Sequence, residues 1–291
     1  MKNRILFTVI GLCCLVLSAC ATVSRHEQLL TSGGHSTPRK SDGTCTESIV
    51  SVEGNPAAMA GLSPDNISLF DWNIYKGSLE GWDDDFLRFS DGKDIILLQE
   101  ASLDKRLLEV LQQQNLYWNL NNAFLYQEHE TGVLLASAVP AIVSCGQRIR
   151  EPIIGIPKTI LIAKYAIAHS EKELLLANVH GINFTLGTGA YREQFDGLER
   201  ILQNHNGPLI VAGDFNNWSD GRSDIVSEFA TRLSLQILRF EYEIRTVFFG
   251  DPVDHIFYRG LEPFDFRAHQ VDSSDHNPIT VNFRLSGTAA E

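Results

Sequence analysis

Short apolar runs alternate with amphipathic stretches along this chain, a pattern typical of layered α and β structure. The runs predict strands at 67–74, 94–99, 132–136, 159–166, 174–179, 209–212, 254–258 and 279–283. Apolar side chains recur at helical spacing over 104–114 and 189–204, which predicts two helices packed on a core. Further helices are predicted around 81–88, where the chain is acidic, and over 223–232, with Ser223 as N-cap.

One connection between these strands limits the fold class. The polar stretch 168–172 joins the runs 159–166 and 174–179, which predicts an antiparallel hairpin. Antiparallel pairing is not expected in a simple doubly wound parallel sheet. Two packed sheets with helices outside fit the mixture better.

Composition indicates one globular domain of ordinary make-up, because 291 residues that are 44% hydrophobic and 21% charged can bury one large core. The formal net charge of −12 argues against a tight non-specific DNA binder, since such proteins neutralise phosphates with Lys and Arg. Small phosphodiesters and lipid headgroups remain compatible with this charge.

The first residues have the pattern of a bacterial export signal. Lys2 and Arg4 precede the apolar run 5–17, which is shorter than the roughly 20 residues of a membrane-spanning helix. The ending Leu17-Ser18-Ala19-Cys20 resembles a lipobox, which implies a signal peptide over 1–19 and a lipidated Cys20. Cleavage of a simple secretory peptide near Ala19 is the alternative.

Lipidation would place the protein in the cell envelope, anchored to the membrane. The residue after Cys20 is Ala21 rather than aspartate, which favours the outer membrane and a position facing the periplasm. Without residues 1–19 the chain has 22 basic and 36 acidic residues, a net charge of −14.

The predicted domain organisation follows from these features. After the signal, residues 20–60 would contain the lipidated cysteine and a tether, because 21–44 are rich in Ser, Thr, Gly and His. A catalytic domain is predicted over 61–286 and a short tail over 287–291. Of five cysteines, Cys45 and Cys145 remain after export and lipidation, which predicts one disulfide in an exported chain, with two buried thiols as the alternative.

Polar side chains stand at or near the ends of the apolar runs in a fixed order: Asn73, Glu100, His180, Asp214 with Asn216, Asp254, and Asp275 with His276. Carboxylate and amide oxygens are the ligands that a hard divalent cation prefers, and histidines bind phosphate oxygens. Together they predict one metal-assisted phosphoesterase site.

Taken singly, each cluster also has a structural interpretation. Asp214 and Asn216 can face one ligand, but the same residue types form Asx turns after a strand. Glu100 alone is compatible with a solvated strand-end acid, and Asn73 with a turn former. We expect Lys158, just before a strand, to be solvated.

The order of the clusters carries more information than any one of them. The chain contains Asp-Trp-Asn-Ile at 71–74, Leu-Gln-Glu at 98–100, Asn-Val-His at 178–180, Gly-Asp-Phe-Asn at 213–216, Asp-His-Ile-Phe at 254–257 and Ser-Asp-His-Asn-Pro at 274–278. This set resembles the ordered motifs of the endonuclease/exonuclease/phosphatase superfamily over about residues 65–286. The resemblance implies an α/β fold, a four-layer αββα sandwich of two packed mixed sheets with helices outside.

The resemblance also implies roles for the residues. Glu100, with Asn73 and Asp275 nearby, would hold Mg²⁺ or Mn²⁺. Asp214 would orient or deprotonate the attacking water, helped by Asn216. His276, paired with Asp254, and His180 would bind phosphoryl oxygens and assist proton transfer. The general base stays open at this point.

One residue departs from the pattern that the resemblance implies. Where many relatives have a Tyr after the aspartate of the penultimate motif, this chain has His255. We expect His255 to repack the strand and leave the role of Asp254 intact.

The sequence therefore predicts a monomeric, membrane-tethered, metal-dependent hydrolase of phosphodiesters or phosphomonoesters. Its substrate would be a nucleic acid, a nucleotide or a phospholipid headgroup. The alternative is a non-catalytic envelope lipoprotein that uses the same fold for binding. Occupation of all the expected polar positions favours the enzyme.

Overall fold

The computed structural model describes residues 21–23, 28–33, 37–47, 49 and 60–287. The predicted signal peptide at 1–19, the lipidation site Cys20 and residues 288–291 lie outside the described residues. In the part of the chain that is described, no helix has the length and hydrophobicity needed to cross a membrane.

Most of the strands belong to two large sheets. In chain order the strands are β1 Ala21–Thr22, β2 Leu29–Ser32, β3 Arg39–Ser41, β4 Ile67–Asn73, β5 Ile95–Ser102, β6 Tyr117–Tyr126, β7 His129–Ser137, β8 Val143–Arg150, β9 Pro157–Ala166, β10 Glu173–His180, β11 Leu209–Asp214, β12 Gln236–Ile237, β13 Val247–Phe248, β14 Asp251–Pro252, β15 Asp254–Arg259, β16 Leu261–Ala268 and β17 Ile279–Leu285. The helices are α1 Trp82–Ser90, α2 Lys105–Gln113, α3 Gly189–Leu202 and α4 Asp220–Arg232.

The first sheet has the order β16-β17-β4-β5-β7-β6-β2-β3, with β1 paired to β6, and the second has the order β12-β15-β11-β10-β9-β8. Both sheets are mixed: β4 and β5 are parallel, as are β10 and β11, whereas β15 runs antiparallel to β11 and β17 antiparallel to β4. Strands β13 and β14 form a separate two-stranded ribbon.

Three buried apolar clusters define the layers. One cluster, which includes Leu97 of β5 and Leu176 of β10, joins the inner faces of the two sheets. A second joins the first sheet to α1 and α2, and a third joins the second sheet to α3 and α4. The four layers are therefore helices, sheet, sheet and helices, which confirms the predicted αββα sandwich.

Burial of both faces of the central strands and of one face of each helix explains why these segments form the layers. Strands in the middle of the sandwich are apolar on both faces because each face packs on another layer, as in β4, where every residue is buried. Helix α2 begins after Asp104, whose carboxylate accepts a hydrogen bond of 2.8 Å from the Leu107 amide. In α3 the predicted apolar stripe from Tyr191 to Leu202 is buried.

All eight predicted strands and the predicted hairpin, now β9 and β10, are confirmed. Strands β6, β8 and β16 were not predicted. In β6, polar residues interrupt the apolar alternation, yet Asn121 is buried and donates hydrogen bonds to the carbonyls of Gln147 and Ile160. Hydrophobic alternation does not identify a strand whose buried polar residues are hydrogen-bonded in this way.

Two further expectations differ from the structure. Helix α4 starts at Asp220 with Ser219 at the N-cap, so Ser223 lies inside the helix, and its hydroxyl donates to the Asn217 carbonyl at 2.9 Å. The described part of the segment 21–44 is not a free tether, because β2 and β3 extend the first sheet and Leu29 and Leu30 are buried.

A disulfide joins Cys45 to Cys145 of β8. The backbone beside it is also paired, because the amide of Cys45 donates to the carbonyl of Gly146 at 2.9 Å. The bond therefore fastens the N-terminal segment to the edge of the second sheet.

Candidate active site

The predicted site residues meet at one edge of the sandwich because of strand register. His180 ends β10, Asp214 ends the parallel neighbour β11, and Asp254 begins the antiparallel β15, so the three residues are paired side by side. On the facing sheet Asn73 ends β4, and the loop before β17 brings Asp275 and His276 to the same edge. Polar residues far apart in sequence thus form one site.

Asp214 is at the centre of this cluster. Its Oδ2 lies 3.1 Å from Asn73 Nδ2, 3.0 Å from Asn216 Nδ2, 3.4 Å from His180 Nε2 and 4.0 Å from His276 Nε2. Its Oδ1 accepts from the Asn216 amide at 3.0 Å, so the Asx turn and the site contact are both present. Burial raises the pKa of Asp214 to about 6, although the charge of His276 opposes this rise.

His276 is held by a buried carboxylate. Its Nδ1 lies 3.0 and 2.9 Å from the two oxygens of Asp254, and its backbone carbonyl accepts from the Trp72 indole at 2.8 Å. Burial alone would lower the pKa of His276, but the Asp254 carboxylate outweighs burial and the pKa rises to about 10. The ring is therefore an imidazolium at neutral pH, with Nε2 directed toward Asp214.

The second histidine, His180, is neutral, whereas His276 is charged. Burial, followed by the nearby Lys158, lowers the pKa of His180 well below its ordinary value. Lys158 Nζ lies 2.6 Å from His180 Nε2. Because an ammonium can only donate, Nε2 accepts and the neutral ring carries its proton on Nδ1. Lys158 is thus a site residue, and the expectation that it is solvated was wrong.

Glu100 reaches the site through an irregularity in β5 rather than from the strand end. The register of β5 with β7 shifts between Leu98 and Ala101, and Glu100 has a φ of 52° in the left-handed region. Its carboxylate lies 3.8 Å from His180 Nε2 and 3.9 Å from Lys158 Nζ, and it forms an ion pair with Lys76. Burial alone would raise the pKa of Glu100, but the nearby cations, Lys76 first, outweigh burial and hold this pKa well below its ordinary value.

Lys76 was not identified from the sequence. Its side chain is mostly buried, its φ is 62°, and its ammonium lies 4.8 Å from the centroid of the Tyr75 ring. A cavity of about 90 Å³ opens between Lys76, Lys158 and His180, with Phe124 and Phe184 among its apolar walls. The two lysines therefore border a small cavity together with the carboxylates of Glu100 and Glu151.

The residues predicted to hold a metal ion lie together, and their chemistry fits Mg²⁺. Partial burial and the charge of Glu100 raise the pKa of Asp275, so the two acids are close enough to repel each other. The Ser274 hydroxyl donates to the Asn73 carbonyl at 2.6 Å and fixes this loop. Among the described residues no three His, Cys, Asp or Glu side chains form a ready-made cage. Mg²⁺ needs none, because it commonly uses one or two carboxylates, water and substrate phosphate.

A buried polar layer that sequence reasoning missed supports the site from below. The Gln99 amide donates to Asp71 at 2.8 Å and to Asn178 at 2.6 Å, and Asn178 donates to the Leu134 carbonyl at 2.8 Å. Burial raises the pKa of Asp71 well above its ordinary value. The available signal was the presence of polar residues in otherwise apolar strands. Asp71, Gln99 and Asn178 each belong to one of the motifs named above.

His255 is a buried neutral residue beside the site. Its Nε2 donates to Asn217 Oδ1 at 3.0 Å and its Nδ1 accepts from Arg245 at 3.1 Å. Burial and then the Arg245 charge lower the pKa of His255 to about 3. Asp254 keeps both oxygens on His276, so the departure at 255 leaves that pair intact, as expected.

Comparison with known proteins identifies the family of this chain. A model of the Endonuclease/Exonuclease/phosphatase family matches residues 72–276, which span the site from β4 to His276. The chain belongs to the endonuclease/exonuclease/phosphatase family. This result confirms the resemblance of its motifs, and hydrolysis of phosphoester bonds is the chemistry of the family.

Several proteins resemble this family member. A UPF0294 protein of Vibrio parahaemolyticus is 34% identical over 285 residues, which cover 96% of this chain and 98% of that protein. The human Nocturnin catalytic domain with bound sulfate has a TM-score of 0.61 at 18% identity and covers 80% of this chain and 100% of its own. A humanized Danio rerio TDP2 has a TM-score of 0.57 at 17% identity, covering 76% and 99%. At these identities the two structures support the fold alone.

Proposed function

We propose that this family member is a divalent-metal-dependent hydrolase of phosphodiester or phosphomonoester bonds. Its substrate would be a nucleic acid, a nucleotide or a phospholipid headgroup. The observation that carries the proposal is the position of Asp214 Oδ2, which lies within 4.0 Å of side chains from three other motifs: Asn73, His180 and His276.

The donor set supports Mg²⁺ or Mn²⁺ as the cofactor. Glu100, Asn73 and Asp275 would hold it, since carboxylate and amide oxygens are its preferred ligands. When bound, the ion neutralises charge that develops on the phosphate and the leaving oxygen.

The side chains of the site have different roles in catalysis, which follow from their charges. Asp214, with a pKa of about 6, is ionised at neutral pH and can accept a proton from the attacking water, while Asn73 and Asn216 hold its orientation. His276, kept protonated by Asp254, donates from Nε2 to a phosphoryl or leaving oxygen. Lys158 adds positive charge at the site, and by donating to Nε2 it fixes the orientation of the neutral His180 ring.

The proposal is tested by hydrolysis of bis-para-nitrophenyl phosphate with Mg²⁺. Asp214→Asn and His276→Gln should each lower kcat at least about 100-fold, because each removes a proton-transfer group. His129→Gln changes an exposed histidine of β7 and should retain activity. Equal rates in all four proteins would refute an enzymatic role for this site.

We also propose that the enzyme is a lipid-anchored monomer of the cell envelope. The lipobox-like sequence ending at Cys20 supports the lipid anchor. Two acyl chains would give stable anchoring. Cys20→Ala should move the protein from the membrane to the soluble periplasmic fraction. Unchanged membrane fractionation would refute the anchor.

A further inference from the structure

A short aromatic ribbon lies beside His276. It consists of β13 and β14, joined by the turn Phe249–Gly250. The centroid of the Phe248 ring is 6.0 Å from that of His276, within the range of aromatic contacts. A group bound to a phosphate at His276 would therefore lie next to Phe248.

The ribbon has a fixed position relative to the site. Arg245, just before it, donates to the backbone carbonyl of Asp254 at 3.0 Å. The hydroxyl of Thr246 accepts from the Asn277 amide at 2.8 Å, and the Val253 amide donates to the Thr246 carbonyl at 3.2 Å. The chain on both sides of the ribbon is thus bonded to the residues that hold His276.

The aromatic side chains of the ribbon are exposed, so burial of their rings contributes little to the stability of the fold. Phe249 is 87% exposed and Phe248 40% exposed. Phe249 also has a φ of 53°, in a two-residue turn where Asn or Gly is the usual choice. Its ring packs at 5.6 Å on Trp218, whose indole donates to Asn183 at 2.8 Å. An exposed phenylalanine in an unfavourable conformation indicates a contact outside the fold.

We propose that Phe248, Phe249 and Trp218 form a subsite for a planar aromatic ring carried by the substrate. The inference rests on the proposed function and narrows it to phosphoesters that bear such a ring near the phosphorus, either an aryl ester or a nucleotide. Aromatic side chains stack on rings of both kinds. The net charge of −12 favours a single small ester over a polyanion.

The test compares inhibitors of bis-para-nitrophenyl phosphate hydrolysis by the full chain with Mg²⁺. Phenylphosphonate should inhibit with a Ki about three- to tenfold below that of methylphosphonate, which has the same anion without the ring. Phe248→Ala should reduce this ratio to about one and leave the Ki of methylphosphonate within about twofold. Phe248→Tyr keeps the ring and should keep the ratio.

A matched control is Tyr117→Ala, which removes a partly exposed ring from β6 and should not change the ratio. A second comparison, of the Ki of thymidine 5′-monophosphate with that of inorganic phosphate, distinguishes nucleotides from aryl esters. If this ratio of Ki values also depends on Phe248, the subsite is assigned to nucleotides. If it does not, the subsite is assigned to aryl esters. A wild-type ratio of one, or a ratio unchanged in Phe248→Ala, overturns the subsite while hydrolysis still supports the proposed function. If the wild-type protein does not hydrolyse the diester, both fail.

Discussion

Replacing Asp254 with Asn should lower the pKa of His276 and destabilise the protein most at acidic and neutral pH. The two side chains are buried, with Nδ1 of His276 2.9 Å from Asp254 Oδ2. Against the effect of burial, Asp254 raises the pKa of His276 to about 10 from an ordinary value of 6.5. Without this carboxylate, burial should hold the ring neutral at pH 7.

The magnitude follows from the difference between these pKa values. At about 1.4 kcal/mol per pH unit, stabilisation of the His276 cation corresponds to about 5 kcal/mol, to which Asp214 and Asp275 also contribute. Loss of Asp254 should therefore cost about 3–4 kcal/mol, as for one partner of a buried pair. Because the folded pKa lies above the unfolded one, this stabilisation is complete below about pH 6.5 and is lost as the pH rises through about 10.

The assay is urea unfolding in EDTA at pH 6, 8 and 10. The difference in free energy of unfolding between wild type and Asp254→Asn should be largest at pH 6 and shrink toward pH 10. Asp272→Asn changes an exposed acid of the same loop and should stay within about 0.5 kcal/mol of wild type. A difference that does not vary with pH, or a variant His276 that still titrates near 10 by NMR, would refute the reasoning.

Three further changes test other parts of the structure by urea unfolding. Lys76→Met in EDTA should cost about 2–3 kcal/mol, because the mostly buried carboxylate of Glu100 loses its closest cation and keeps only Lys158 at 3.9 Å. The exposed Lys105→Met should cost less than about 0.5 kcal/mol, and equal costs would contradict the reasoning. Arg222→Met should cost about 2–4 kcal/mol, since its buried guanidinium donates to three backbone carbonyls, and an unchanged midpoint would contradict it. Cys45→Ser with Cys145→Ser should cost up to about 4 kcal/mol, and no loss relative to the non-reduced wild type would show that the bridge does not stabilise the domain.

Much of the fold could be predicted because the central strands are apolar on both faces and the helices carry one apolar stripe. Strands that contain buried polar residues were missed. In β6, for example, the side-chain amide of Asn121 is buried and donates to two carbonyls of the other sheet. The N-terminal strands β2 and β3 were missed for another reason: they lie at a sheet edge, where Arg39–Ser41 is exposed and has no hydrophobic alternation.

The site was predictable only where several residue types recur in order. Asp214 and His276 belong to such motifs, whereas Lys76 and Lys158 are single lysines, which in a sequence are indistinguishable from solvated ones. Strand register and the irregular backbone at Glu100 bring both ammonium groups to one carboxylate. The two lysines and the His276 cation thus offset the negative charge of the carboxylates around them. They reduce the repulsion that one phosphate group meets at the site, whereas the acidic chain around it repels an extended polyanion.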